Sequence, residues 1–195
     1  MKILFIGDIV GKPGRKAVAE LVPLLISERE IDLVIANCEN AAAGFGVTRD
    51  IVDELYASRI DVLTSGNHIW NKKEAVEFIN EYDTLLRPAN YSSKAPGNGA
   101  VVVSTSRGGS VGVLNLAGRI FMQPSECPFE KAKYKIAELK LKTKIIIVDF
   151  HAEATSEKRA LGWYLDGEVS AVVGTHTHVQ TADNEILPRG TAYIS

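Results

Sequence analysis

The sequence predicts an α/β fold in which most of the strands are parallel. Short apolar runs alternate along the chain with segments whose apolar residues recur at helical spacing, the pattern of strands joined by helical crossovers. Five of the apolar runs end on residues that bind hard metal ions, and all 4 histidines lie at those ends. Because the carboxyl ends of parallel strands lie at one edge of a sheet, we expect these polar residues to gather there.

The first half of the chain predicts a regular order of strand and helix. Thr48 is a suitable N-cap for a helix over 48–58, and Pro23 is expected to break or kink the helix that contains it. The predicted strands are 2–6, 32–37 and 60–64, and the predicted helices are 14–29, 48–58 and 72–82.

The second half is less regular. Residues 90–99 (NYSSKAPGNG) form a turn-rich loop, followed by a strand pair at 100–104 and 111–116 around the turn SRGGS. Residues 118–130 are irregular, contain two prolines and are expected to overhang the active face. The remaining predicted elements are a helix at 131–142, a strand from 145 to 151, a helix from Thr155 or Ser156, a strand at 170–178 and a last strand at 192–195.

Length and composition indicate one globular domain over residues 1–195. The formal net charge of −2 gives no general attraction to nucleic acid or to an anionic membrane. No apolar run approaches the roughly 20 residues that span a bilayer. Cys38 and Cys127 are too few for a disulfide framework, so we expect a reducing, cytoplasmic location.

The polar strand ends together predict a metal site. If the strands are parallel, one edge of one sheet collects them, and carboxylate, amide and imidazole groups without a thiolate suit two hard or borderline cations. Iron is the first expectation, with manganese or zinc as alternatives. The residues in question are Asp8, Glu39, Asn40, Asn67, His68, His151, His176 and His178.

His176 and His178 are the strongest local signal. Residues two apart in a strand point to the same face, so both imidazoles could reach one metal or two neighbouring metals; the alternative is a pair of ordinary loop histidines. His68, beside Asn67, is a candidate general acid because the pKa of histidine lies near neutrality. Its alternative is a structural histidine, and Glu39 with Asn40 could equally form a polar turn.

Other polar residues are expected to stay outside the ligand set. Asp149 shares a face with His151 by strand alternation, and we expect it to orient a histidine without binding metal itself. Glu153 and Glu157 suit the start of a helix. The segment GDIVGKPG matches neither a P-loop nor a dinucleotide-binding loop, and the lysines between 131 and 144 predict a solvated helix face with no extended nucleic-acid surface.

Five stretches of the sequence resemble the calcineurin-like metallophosphoesterases, and among them the YmdB-type branch, which is 2′,3′-cyclic-nucleotide phosphodiesterase-like. They are GDIVGKPGR, NCENAAAGFG, SGNHIW, DFHAEATSEK and GWYLDG with VSAVVGTHTHVQTAD, which together lie between residues 7 and 183. The resemblance implies a layered fold with mostly parallel or mixed β-sheets flanked by helices. It departs from the wider superfamily at Val10, where a histidine is usual, and at Glu39, where the bridging residue is usually Asp.

The resemblance also implies a division of roles. Asp8, Glu39, Asn40 and His178 would hold one metal, and Glu39 as bridge with Asn67, His151 and His176 would hold the other. A metal-bridging hydroxide would attack phosphorus while His68 protonates the leaving oxygen. Lys12 or Arg15 would contact substrate or serve only at the surface.

The predicted function is therefore a metal-dependent phosphoric diester hydrolase acting on small phosphodiesters such as 2′,3′-cyclic nucleotides. One alternative is a regulatory protein that binds a nucleotide or RNA end with little turnover, and another is a mononuclear hydrolase of amides or esters. A homo-oligomer is expected. Members of the branch are expected to continue past the equivalent of TAYIS, so the fold is expected to be truncated at its C-terminal edge.

Overall fold

The computed structural model describes residues 1–105 and 107–195, and its strands form two sheets. The first sheet is parallel throughout, with β1 (Ile3–Ile6), β2 (Leu33–Asn37) and β3 (Val62–Thr64) in that spatial order. The helices between and after these strands are α1 (Gly11–Arg29), α2 (Arg49–Ala57) and α3 (Ala75–Phe78), and a 3₁₀ turn over Ile79–Glu81 follows α3.

The second sheet has six strands. They are β4 (Ala100–Ser104), β5 (Ser110–Ala117), β6 (Ile145–His151), β7 (Ala171–Thr175), β8 (Glu185–Ile186) and β9 (Ala192–Ile194), in the order β4-β5-β6-β7-β9-β8. The central strands β5, β6, β7 and β9 are parallel, while β4 and β8 pair antiparallel at the two edges. Two helices, α4 (Pro128–Lys140) and α5 (Thr155–Tyr164), complete the elements.

The two sheets pack face to face and carry helices on their outer faces. Ile35 of β2 and Val113 of β5 belong to one buried apolar cluster between the sheets. A second cluster joins α1 and α2 to the first sheet, and a third joins α4 and α5 to the second sheet. The central strands, such as β2 and β6, are therefore covered on both sides, which is why they are apolar runs without alternation. The prediction of a layered α/β fold with parallel and mixed sheets is confirmed.

The expectation that one sheet collects the polar strand ends is wrong. Strands β1, β2 and β3 belong to one sheet, and β6 and β7 to the other. Because β5 pairs with β6 and not with β3, the candidate ligands come from two sheets whose carboxyl ends face the same side.

Several element boundaries differ from those predicted. The helix α1 starts at Gly11 and continues through Pro23 without interruption. Burial of Val18 and Val22 offsets the cost of the backbone hydrogen bond that is lost at proline. The predicted helix over 72–82 is reduced to α3 and the 3₁₀ turn, and α4 starts earlier than expected because Pro128 occupies its first turn. The strand β8 was not predicted, and Ser106 of the predicted turn SRGGS lies outside the described residues.

The predicted strand over 170–178 ends early, which changes the argument for its histidines. The strand β7 stops at Thr175, and His176 and His178 adopt left-handed backbone conformations with φ of 93° and 49°. Strand alternation therefore does not align these two residues, and the argument that placed both imidazoles on one face of a strand was wrong.

None of the helices in the described part of the chain has the length and apolar character that a membrane span requires.

Candidate metal centre

All eight polar residues predicted at strand ends lie at the same edge of the molecule. Asp8 follows β1, Glu39 and Asn40 follow β2, and Asn67 and His68 follow β3. From the second sheet come His151, the last residue of β6, and His176 and His178 after β7. Both sheets thus contribute side chains, and these form two overlapping groups of atoms that could bind a metal ion.

The first group surrounds one ring nitrogen of His151, and we call it the His151 group. Nε2 of His151 lies 3.0 Å from Oε1 of Glu39, 3.0 Å from Oδ1 of Asn67 and 3.1 Å from Nδ1 of His176. Glu39 and His151 are fully buried, and Asn67 and His176 are partly exposed. Atoms of Glu39, His151 and His176 that could hold a metal ion lie within 4.8 Å of one another.

The opposite ring nitrogen of His151 contacts a buried polar chain. Nδ1 lies 3.0 Å from Oγ1 of Thr175, and this hydroxyl donates to Oδ1 of Asp149 at 2.7 Å. Because the single hydroxyl proton goes to the carboxylate, Nδ1 of His151 donates to Thr175, and Nε2 is directed at the centre. Asp149 thus lies behind Thr175 and acts on His151 through it; burial raises the pKa of Asp149 to about 6.

His176 is oriented by a residue that the sequence analysis assigned to a helix start. Oε2 of Glu153 lies 2.8 Å from Nε2 of His176, so Nε2 is the donor and Nδ1 is left facing His151. Glu153 precedes α5 and belongs to neither the strand nor the helix. Its spacing of two from His151 and four from Asp149 continues the alternation of β6, and this signal could have identified it.

The second group lies around the side-chain amide of Asn40, and we call it the His178 group. Nδ2 of Asn40 is 3.4 Å from Oδ1 of Asp8, 3.1 Å from Oε1 of Glu39 and 3.1 Å from Nε2 of His178. The amide nitrogen thus occupies the point where three acceptors converge. To act as a metal ligand, Asn40 has to turn its amide so that the oxygen faces this point.

Glu39 belongs to both groups. Its Oε1 contacts His151 and Asn40, and its Oε2 accepts a hydrogen bond from the backbone N–H of His68 at 2.9 Å. Although burial alone would raise the pKa of Glu39, the hydrogen bond and the charge interaction with His151 lower it overall. An ionised carboxylate between two groups of donors is the arrangement expected of a bridging ligand.

The donor set fits divalent cations. Burial disfavours a proton on His151, but Glu39 and the other carboxylates outweigh it and raise the pKa of that ring. Burial and the neighbouring His151 lower the pKa of His176. In both groups, acceptor atoms converge at 3–3.5 Å with only a proton or an amide N–H between them. A cation at that point would interact favourably with all of these buried polar atoms.

His68 lies beside the two groups with a partly exposed side chain. Its ring packs edge-on against the exposed ring of Phe45, with centroids 4.9 Å apart. The Glu39 contact to its backbone N–H places the imidazole next to the centre without using either ring nitrogen. Arg15, by contrast, is held by Glu54 and the carbonyl of Ala41, which favours the surface role over substrate contact.

Two buried features keep the rings in place. A Cβ on Gly66 would lie 2.1–2.4 Å from the ring of His151, so only glycine leaves room for that imidazole. Lys158 of α5 is almost fully buried and donates to Oγ1 of Thr177 at 3.0 Å, which anchors the loop between His176 and His178. Sequence reasoning did not select Lys158, because a lysine within a helix usually lies at the surface.

One family profile matches nearly the whole chain. The sequence profile of the family described as YmdB-like protein matches residues 4–195. The chain belongs to the YmdB-like family. Its metallophosphoesterase fold and its class, phosphoric diester hydrolase, are as predicted from the resemblance.

Curated relatives and solved structures of the YmdB-like family cover the whole chain. A 2′,3′-cyclic-nucleotide 2′-phosphodiesterase of Bacillus subtilis is 54% identical over 195 residues, which are 100% of this chain and 74% of that protein. A putative phosphatase/phosphodiesterase of Mycoplasma genitalium is 35% identical over 199 residues, which are 100% of this chain and 70% of that protein.

Two crystal structures superpose closely. A hypothetical protein from Thermus thermophilus has a TM-score of 0.92 at 43% identity, covering 99% of this chain and 74% of that one. A phosphatase from Mycoplasma pneumoniae has a TM-score of 0.91 at 36% identity, covering 100% of this chain and 70% of that one.

Proposed function

We propose that this YmdB-like protein hydrolyses small phosphodiesters such as 2′,3′-cyclic nucleotides with two divalent cations at the candidate metal centre. The observation that carries the proposal is the position of Glu39. Oε1 of its buried carboxylate contacts both His151 and Asn40, so one residue links two groups of ligand atoms. The name of the Bacillus subtilis relative supports the substrate class.

The proposed ligands divide as the two groups do. Glu39, Asn67, His151 and His176 would hold one cation, and Asp8, Glu39, Asn40 and His178 the other. Bound cations would supply the Lewis acidity that activates water and offsets phosphoryl charge. Iron is the first expectation for both positions, with manganese or zinc as alternatives, because the donors are oxygen and imidazole nitrogen.

The side chains themselves provide orientation and a proton. In the proposed reaction, the oxygen of water bonds to phosphorus and gives up one proton to solvent, and the bond from phosphorus to the 2′ oxygen breaks. His68 gives that oxygen a proton and regains one from solvent. The backbone contact to Glu39 would keep His68 beside the proposed metal centre. The side chains of His176 and His178 are 20% and 44% exposed, so substrate would reach the centre from their side.

The test combines metal analysis with hydrolysis of bis-p-nitrophenyl phosphate and of 2′,3′-cyclic nucleotides. We expect two metal ions per chain and turnover of both substrates. For His68→Ala we expect metal content to stay while kcat falls roughly 100-fold or more. Asn71→Ala, an exposed change in the same turn, is the matched control and should behave as wild type.

Two outcomes separate the parts of the proposal. Metal-loaded protein that is inert on every phosphodiester contradicts the function as a whole. Loss of metal from His68→Ala contradicts only the role of His68, because it would make that residue a ligand.

The cellular setting is a further part of the proposal. The proposed location is the cytoplasm, because Cys38 and Cys127 are too few for a disulfide framework. We also propose a single domain and a homo-oligomer, and sedimentation of the metal-loaded protein would test the latter.

A further inference from the structure

The segment between β5 and α4, residues 118–127, lies over the edge that carries the metal centre, and we call it the overhang segment. Its first residues are tied to the strand that ends in His151. The N–H of Gly118 donates to the carbonyl of His151 at 2.9 Å. The N–H groups of Arg119 and Ile120 donate to the buried carboxylate of Glu157, at 3.0 and 3.2 Å.

The far end of the overhang segment is fixed as well. Asn90 is fully buried, and its side-chain amide donates to the carbonyl of Ala117 at 2.8 Å and to that of Glu126 at 3.0 Å. The N–H of Glu126 donates in turn to the carbonyl of Asn90 at 2.9 Å. Both ends are therefore held by buried polar groups, and the position of the tip relative to His151 is set by these bonds.

The tip of the overhang segment presents an aromatic side chain to solvent. Phe121 is 90% exposed, and its backbone is left-handed with φ of 61°. A bulky residue in this conformation is strained, and an exposed ring gains no burial energy that would compensate for this strain. The fold alone therefore gives no reason for phenylalanine at this position.

Phe121 lines a cavity that also contains residues of the metal centre. The cavity has a volume of about 260 Å³ and is lined by Asn67 and His176 together with Phe121, Met122 and Gln123. This is slightly less than the roughly 300–1,000 Å³ of sites for drug-sized ligands, so it suits one ring system better than an extended strand. An aromatic ring, a thioether and an amide here adjoin the proposed phosphate-binding groups.

We infer that the overhang segment binds the base of a nucleotide substrate, with Phe121 as its stacking surface and Gln123 beside the edge of the base. The inference rests on the proposed function, because it places the phosphate next to Asn67 and His176. Stacking on an aromatic ring accepts any base, since every base has a π-face. Phe121 is thus a specificity residue for nucleotides over simple diesters, with little preference among the four bases.

The experiment compares substrates that differ only in the base. Wild type and Phe121→Ala are assayed on adenosine 2′,3′-cyclic phosphate and on the base-free methyl riboside 2,3-cyclic phosphate. We expect Phe121→Ala to raise KM roughly tenfold for the nucleotide, the order of one lost base–aromatic stack. KM for the base-free compound and kcat for both should stay unchanged, and Phe121→Trp should restore nucleotide affinity.

Binding to metal-loaded protein gives a readout that does not depend on turnover. We expect calorimetry to show adenosine 3′-monophosphate binding roughly tenfold more weakly to Phe121→Ala, and ribose 3-phosphate binding equally to both proteins. Tyr134→Ala, which removes an exposed aromatic ring from α4, is the matched control and should have no effect.

Three outcomes for Phe121→Ala overturn the inference. The first is an equal loss of affinity for compounds with and without a base, and the second is no loss for either. The third is a changed sedimentation mass together with an equal loss of affinity for both compounds. The last would make Phe121 a contact between copies of the chain. Failure of the proposed function can be told apart from failure of this inference. If the function is wrong, wild type is inert on the base-free diester as well as on the nucleotide. Calorimetry then still tests whether Phe121 contributes to nucleotide binding.

Discussion

At the scale of single residues, the histidines of the His151 group each have one ring nitrogen engaged and the other directed inward. Thr175 accepts from Nδ1 of His151, and Glu153 accepts from Nε2 of His176. Each partner therefore fixes one ring orientation, so that Nε2 of His151 and Nδ1 of His176 face each other at 3.1 Å. In the proposed centre, residues that would not touch the cation thus orient its ligands.

Glu153→Ala tests this orienting role. The variant removes the carboxylate that holds Nε2 of His176, and we expect metal affinity of the His151 group to fall roughly 10- to 100-fold. Stability should change little, because the side chain of Glu153 is about half exposed. Titration with Mn²⁺ and thermal unfolding without metal measure the two effects.

Glu130→Ala on the exposed face of α4 is the matched control for the loss of one carboxylate. Unchanged metal affinity in Glu153→Ala would contradict the orienting role. A large fall in stability without metal would point to a structural role for the Glu153–His176 contact.

Gly66→Ala tests how closely the His151 ring is packed. An added Cβ would meet ring atoms of His151 at 2.1–2.4 Å, so the ring has to leave its position. We expect about 1–3 kcal/mol of lost stability, as for other overpacked cores, and loss of metal binding. Gly7→Ala at the same edge meets nothing within 4 Å and should behave as wild type in urea unfolding and metal titration. Wild-type metal affinity in Gly66→Ala would contradict the packing argument.

At the scale of elements, buried polar side chains join the two sheets where their strands end. Asn115 of β5 accepts from the N–H of Ser65 and donates to its carbonyl, both at 3.0 Å. Asn37 of β2 donates to Asp149 of β6 at 3.0 Å. These contacts replace apolar packing at the edge that carries the metal centre and hold the loops after β3 and β6 in register.

Asn115→Ala tests this connection. The change leaves the N–H of Ser65 buried without a partner and its carbonyl with only the longer bond from Asn37 at 3.3 Å, and we expect about 1–3 kcal/mol of lost stability in urea unfolding. Metal affinity should fall as well, because Asn67 follows Ser65 by two residues. Asn71→Ala, at an exposed position, is the control. A stability change no greater than that of the control would show that the sheets are held by their apolar cluster alone.

The order of strands and helices could be predicted because its signals are local. The run Leu33–Ala36 is apolar without alternation since β2 is covered on both faces, and Thr48 caps α2 through a bond to Ile51 three residues away. The division into two sheets could not be predicted in this way. It depends on β5 pairing with β6 across 34 positions, from Val111 to Ile145, and no local pattern encodes that choice.

The candidate site shows the same limit. Its residues could be selected from the sequence, since ligand types follow each apolar run, but their geometry could not. The left-handed backbone at His176 and His178 is unusual for residues other than glycine, and no sequence pattern indicates it. Glu153 was assigned to a helix start because α5 begins two residues later, whereas its side chain turns back to His176.

At the scale of the whole molecule, the metal centre joins two halves of a layered structure. Asp8, Glu39 and Asn40 come from the loops of the first sheet. His151 at the end of β6, and His176 and His178 after β7, come from the second sheet. A cation held by both sets would be a cross-link that exists only in the folded state. Metal binding should therefore stabilise the entire fold, since a ligand that binds only the native state shifts unfolding by mass action.

Thermal unfolding with and without metal tests this coupling. At a metal concentration 100 times Kd, one site adds about 2.7 kcal/mol, which for a chain of this size raises Tm by roughly 5–10 °C. Glu39→Gln removes the charge shared by both groups and should abolish most of the rise, whereas Glu130→Gln should keep it. The metal-free Tm of each variant is its own reference, so a folding defect in Glu39→Gln does not obscure the comparison. An equal rise in the Tm of Glu39→Gln would mean that the stabilising cation binds elsewhere. Metal at the candidate centre would then not stabilise the packing of the two sheets.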